Sequence, residues 1–220
     1  MLDHDGRPLR VTWDYDRAEI FADGVVHVAG IALALIGAGA LFLAAIYSSE
    51  PLTIVAVAIY LVGLLAALII SATYNLWPIS RLKWLLRRFD HSAIYLLIAA
   101  TYTPFVVEMK AGLTTIGLFI GIWAAAALGI VIKLALPGRF DRLSVGLYLL
   151  MGWSGLIAYP HVVEALPSQT LWMLAAGGLF YSTGVIFHAW QQLRFQNAIW
   201  HTFVLLGAGF HYGAVFFSLG

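Results

Sequence analysis

The chain has 220 residues, 62% of them hydrophobic and only 10% charged, with a mean hydropathy of +0.89. Soluble domains carry about a quarter charged residues, so this composition excludes an ordinary soluble globule and points to an all-α integral membrane protein. A formal net charge of +1 gives no electrostatic case for nucleic acid, and the lack of cysteine removes disulfides, thiolate ligands and a cysteine nucleophile.

Residues 1–21 form a polar arm with both signs of charge, unlike a cleaved signal peptide. The first membrane helix is therefore expected to act as its own insertion signal. Residues 22–220 read as a single membrane domain. About 20 apolar residues suffice to cross a bilayer, and seven such spans are expected. Residues 24–47 are the first, charge-free apart from His27, and 52–76 the second. A loop over 77–89 carries Arg81, Lys83, Arg87 and Arg88. The third span, 91–107, is short and ends near Pro104; the fourth is 113–132. A basic loop with Pro137 and Gly138 leads to the fifth, 143–163, broken near its end by Pro160. The sixth is 171–189 and the seventh 198–219, joined by a polar loop with Arg194.

Seven spans put the two termini on opposite sides. With the amino terminus inside, eleven of the twelve lysines and arginines fall on inner segments and only Lys110 falls outside. That asymmetry predicts an inner amino terminus, an outer carboxyl terminus, and a multi-pass protein of the inner (plasma) membrane. The pairs Gly117/Gly121 and Gly209/Gly213 read as close helix packing.

Polar residues gather at one depth. Ser71 and Asn75 lie one helical turn apart near the end of the second span, Asp90 opens the third, and Asn197 and His201 open the seventh at the same i, i+4 spacing. His27 and His188 share that level. Lipid disfavours each group, so they are expected to point inward and find one another. The plain reading is a hydrogen-bonded knot that fixes helix packing; the sharper one is a chemical site. His91 stands about 100° around the helix from Asp90, so both cannot face the core. His211 lies about 15 Å beyond His201 and cannot share a metal with it. His161 belongs near the outer interface and His4 in the arm. Mid-membrane positions are mostly apolar, which argues against a wide aqueous channel and against an ion transporter.

The runs SATYN (71–75), RRFDHSAIYLLIAATYTPF (87–105) and NAIWHTFVLLGAGFHY (197–212), with AEIFADGVVHVAG (18–30), resemble the bacterial hemolysin III family, grouped with the progestin and adiponectin receptors. The resemblance covers nearly the whole chain and implies seven helices and a zinc site near the cytoplasmic face. It also implies metal-dependent hydrolysis of a lipid-like substrate, because the superfamily includes ceramide hydrolases. Carried over by position, Ser71 and Asp90 stand beside the reacting water, and the metal positions are Asn75, Asn197 and His201. Asp90 would orient that water or act as general base.

The chain departs from the pattern at two of three ligand positions, since the resemblance implies histidine where Asn75 and Asn197 stand. Zinc prefers imidazole, thiolate or carboxylate, so zinc is expected to be weak or absent, with His27 the candidate replacement ligand. The expected partners are membrane lipids and no nucleic acid; the oligomeric state is open. The competing reading is a non-enzymatic receptor-like or membrane-perturbing, channel-forming protein, as the hemolysin name suggests. A cavity ending at Asp90 and His201 would favour the hydrolase.

Overall fold

The computed structural model describes residues 14–48, 50–109 and 112–219. His4, Lys110 and residues 1–13 of the polar arm lie outside them. All regular structure among the described residues is helical: α1 Arg17–Ser48, α2 Pro51–Leu76, α3 Arg81–Glu108, α4 Leu113–Ala135, α5 Asp141–Trp153, α6 Tyr159–Ala165, α7 Ser168–Ala189 and α8 Gln196–Ser218. A 3₁₀ turn, Ser154–Ala158, links α5 to α6, so these make one broken rod. Six rods are long and apolar enough to cross a membrane. The seventh, α3, is as long as the others but opens with Arg81, Lys83, Arg87, Arg88 and Asp90. The fold is an all-α membrane bundle.

Helix ends follow from local chemistry. Asp16 and Glu19 form a reciprocal capping box, each carboxylate accepting from the other residue's backbone N–H at 2.8–2.9 Å. This starts α1 at Arg17, ahead of its apolar run. Glu19 also accepts from Phe195 N–H at 3.0 Å. Phe195 sits at φ 60, costly for a residue with a Cβ, and the Glu19 contact holds it there at the start of α8.

Two expected boundaries move. The basic segment before Asp90 is not a loop but the first turns of α3, because Ser80 caps it by accepting from Lys83 N–H at 3.2 Å. Buried Lys83 then donates to the carbonyls of Asn75 and Trp77 at 2.9 and 2.8 Å, closing the end of α2. The far end of the third rod, Glu108, falls one residue past the expected span, with Pro104 inside the helix. The break in the fifth rod comes at Ser154, before Pro160, which instead sits in the first turn of α6, where a missing N–H costs nothing. The Tyr102 hydroxyl repairs the break: it donates toward the carbonyls of Met151 and Gly152 and accepts from Gly155 N–H, all within 2.9 Å.

Around the bundle, α1 packs on α2 and α8, α2 on α3, α3 on α4, and α7 on α8, while α5 meets α3, α4 and α7 only sparsely. Leu41, Val57, Tyr60, Leu64, Leu97 and Val215 anchor the main core. The rods alternate in direction, so the starts of α1, α3, α5 and α8 share one end with the finishes of α2, α4 and α7. Every described lysine and arginine sits at this basic end. There Asp141, at the start of α5, binds Lys133 of α4 at 2.7 Å and Arg87 of α3 at 2.9 Å.

Candidate functional site

Three helices bring the polar layer together. The Asn75 Nδ2 group donates to the Ser71 carbonyl at 2.9 Å and to its hydroxyl at 3.3 Å. Asn197 Nδ2 donates to Asn75 Oδ1 at 3.0 Å and to Asp23 Oδ2 at 3.0 Å. His201 Nδ1 lies 2.6 Å from Asp23 Oδ1, the ring N–H donating to the carboxylate. His27, one turn after Asp23, places Nε2 3.5 Å from Asp23 Oδ2, and its ring lies tilted against that of His201, 4.4 Å between centroids. The hub of the layer is therefore Asp23 of α1, 4% exposed.

Asp90 faces the same group from α3. There it lines a cavity together with Asn75, Asn197 and His201. It is 14% exposed, and the cavity it faces reaches the exposed residues Asp14, Gln191 and Gln192 at this end. His91 lines the same cavity, contrary to the expectation from their 100° separation: its Nδ1 lies 2.9 Å from the Arg87 carbonyl and 3.5 Å from Asp90 Oδ2, and Tyr148 donates to its own carbonyl at 2.8 Å. His188 packs its ring at a tilt against Trp200, 5.0 Å between centroids, rather than joining the cluster. His211 packs beside Tyr181, away from His201, and His161 is exposed.

The cavity measures about 1270 Å³. At the basic end it is lined by Asn75, Asp90, His188, Asn197 and His201. Farther in, apolar groups such as Leu97, Phe105 and Leu174 form most of the wall.

The two sets of candidate metal ligands differ in fit. Asn75, Asn197 and His201 do meet in space, but Asn75 Oδ1 already accepts from Asn197, and Asn197 presents its N–H₂ side to its neighbours. Those amides support Asp23; as a ligand set they do not suit zinc. Asp23, His27 and His201 do suit a divalent cation. Each offers a ligand atom, all within 4.8 Å of one another. One carboxylate and two imidazoles make a three-ligand catalytic set. His27 Nε2 is also buried and makes no hydrogen bond among the described residues, its nearest charged neighbour being Asp23 Oδ2 at 3.5 Å.

Asp23 escaped the sequence reading, which placed it between the arm and the first span. Two signals could have found it. It precedes His27 by four residues, the spacing of the other two pairs, and it is a carboxylate at the edge of hydrocarbon, as Asp90 is.

Fold and site together define a polytopic helical membrane protein with a buried Asp/His cluster at one end. The family profile described as "Haemolysin-III related" matches residues 19–212. "Hemolysin-3 homolog" of Bacillus subtilis (strain 168) is 35% identical over 90% of this chain and 93% of that protein. "Hemolysin-3" of Bacillus cereus is 35% identical over 90% and 91%. The human "Monocyte to macrophage differentiation factor" is 33% identical over 71% and 67%. The chain belongs to the hemolysin III family.

Proposed function

We propose that this protein hydrolyses a lipid-like amide or ester, drawn from the membrane into the cavity with its carbonyl beside Asp90. One observation carries the reading: Asp90 and His201 line the same apolar-walled cavity, and His201 belongs to the Asp23, His27 and His201 cluster. Asp23, His27 and His201 would hold a divalent cation, which when bound polarises a carbonyl and eases deprotonation of water near neutral pH. The amide groups of Asn197 and Asn75 keep Asp23 aimed at the two imidazoles.

Asp90 is the general base in this reading. It takes a proton from water as the water oxygen bonds to the carbonyl carbon, and returns it to the departing nitrogen or oxygen as the old bond breaks. Ser71 orients the carboxylate by donating to it. The apolar wall binds the acyl chain and keeps bulk water from the base.

The test uses purified protein in phospholipid vesicles with bound divalent metal, given long-chain N-acyl and O-acyl lipids, with released fatty acid measured by mass spectrometry. Release is expected from the unmodified protein, and loss of the base in Asp90→Asn should slow it roughly 10²–10⁴-fold. No release from any acyl lipid, or equal release by Asp90→Asn, contradicts the reading. Escape of a trapped dye without acyl release would favour the membrane-perturbing reading.

A further inference from the structure

We propose that the cavity is also a transbilayer path along which a phospholipid headgroup moves between leaflets. This activity shares the cavity with hydrolysis but does not need Asp90. Reach gives the first argument. The cavity wall follows α3 from Asp90 to Met109 and α7 from Ser168 to His188, which at 1.5 Å per residue is about 28–30 Å of depth. The hydrocarbon core is about 30 Å thick, so one leaflet accounts for roughly 15 Å. A lipid held in one leaflet with its carbonyl at Asp90 fills only the near half. The far half ends beside Ser168 and Trp172, and Trp172 is 77% exposed.

The middle of the cavity gives the second argument. A sleeve for an acyl tail needs no polar groups at mid-depth, where they are costly. This wall has several. Trp153 Nε1 donates to Ser182 Oγ at 3.0 Å across the gap between α5 and α7. The Tyr102 hydroxyl gathers at the α5 break, and the His211 ring, unused by the hydrolysis reading, lines the same space. Together with His188 at one end and Ser168 at the other, they leave no long stretch without a hydrogen-bonding group. The middle carries no lysine, arginine or carboxylate, which suits a zwitterionic headgroup better than a bare ion.

The third argument is how a large amphiphile could fit. At about 1270 Å³ the cavity exceeds the roughly 300–1,000 Å³ of common ligand pockets. Irregular backbone within a membrane is tolerated where it lines a cavity, and the Ser154–Ala158 break does so. The α5–α6 rod packs sparsely on α7. That seam lets a headgroup travel inside while its tails stay in lipid.

The experiment places the full chain in phosphatidylcholine vesicles with a trace of fluorophore-tagged phosphatidylcholine, then adds a membrane-impermeant reductant. Protein-free vesicles lose half the fluorescence, that of the outer leaflet. Vesicles with the protein are expected to lose nearly all of it, and those with Asp90→Asn likewise. Ala175→Trp, which fills the cavity at mid-depth, should restore the half-loss; Leu171→Trp is the second obstruction if the first does not fold. Half-loss with the unmodified protein overturns the proposal. So does full loss with both obstructing variants, or leakage of the reductant into vesicles, which marks a pore. Because Asp90→Asn separates the two activities, failure here leaves the hydrolysis reading standing, and the reverse holds too.

Discussion

Asp23 accepts hydrogen bonds from Asn197 and His201 and sits against His27, so a single carboxylate organises side chains from α1 and α8 and, through Asn197, the amide of Asn75 on α2. Removing a donor from a buried carboxylate leaves the charge under-solvated and costs about 1–3 kcal/mol. Asn197→Leu should lower the thermal unfolding midpoint in detergent accordingly, and an unchanged midpoint would show that the amide does not support Asp23. The residues Ser71, Asn75, Asp90, Asn197 and His201 were legible in the sequence because polar groups at one depth in hydrocarbon must find one another. Asp23 was not, because it falls between the polar arm and the first apolar run and belongs to neither pattern. Its partner His201 is also 178 positions away, beyond any spacing rule.

At the scale of elements, the apolar runs announced the rods, while their ends depended on contacts that no hydropathy pattern encodes. Ser80 capping moved α3 back over a basic segment, and the break in the fifth rod, closed by Tyr102, falls earlier than Pro160, at Ser154. Close approach matters as much as capping. Gly63 of α2 lies where a Cβ would collide with the Ala100 methyl of α3. This contact lets α2 carry Ser71 up to Asp90. Gly63→Leu should push the two helices apart and reduce the folded, monodisperse fraction in size-exclusion chromatography. Gly39→Leu, at a position with open space around it, should elute as the unmodified protein does. Equal behaviour of the two variants would show that the α2–α3 contact does not need a glycine.

Across the whole molecule, the described lysines and arginines share the end that holds the Asp/His cluster, which supports placing that end in the cytoplasm. A reporter fused after Gly220 is then expected to be active outside the cytoplasm, and cytoplasmic activity would overturn the orientation. At the same end, Asp23, His27 and His201 form the proposed cation site. Elemental analysis of protein purified in zinc-containing buffer and then dialysed tests it without a substrate. Close to one zinc per chain is expected in the unmodified protein and in Asp90→Asn, and little in Asp23→Ala or His27→Ala. An unmodified protein that retains no metal, or a His27→Ala variant that retains as much as the unmodified chain, would contradict it.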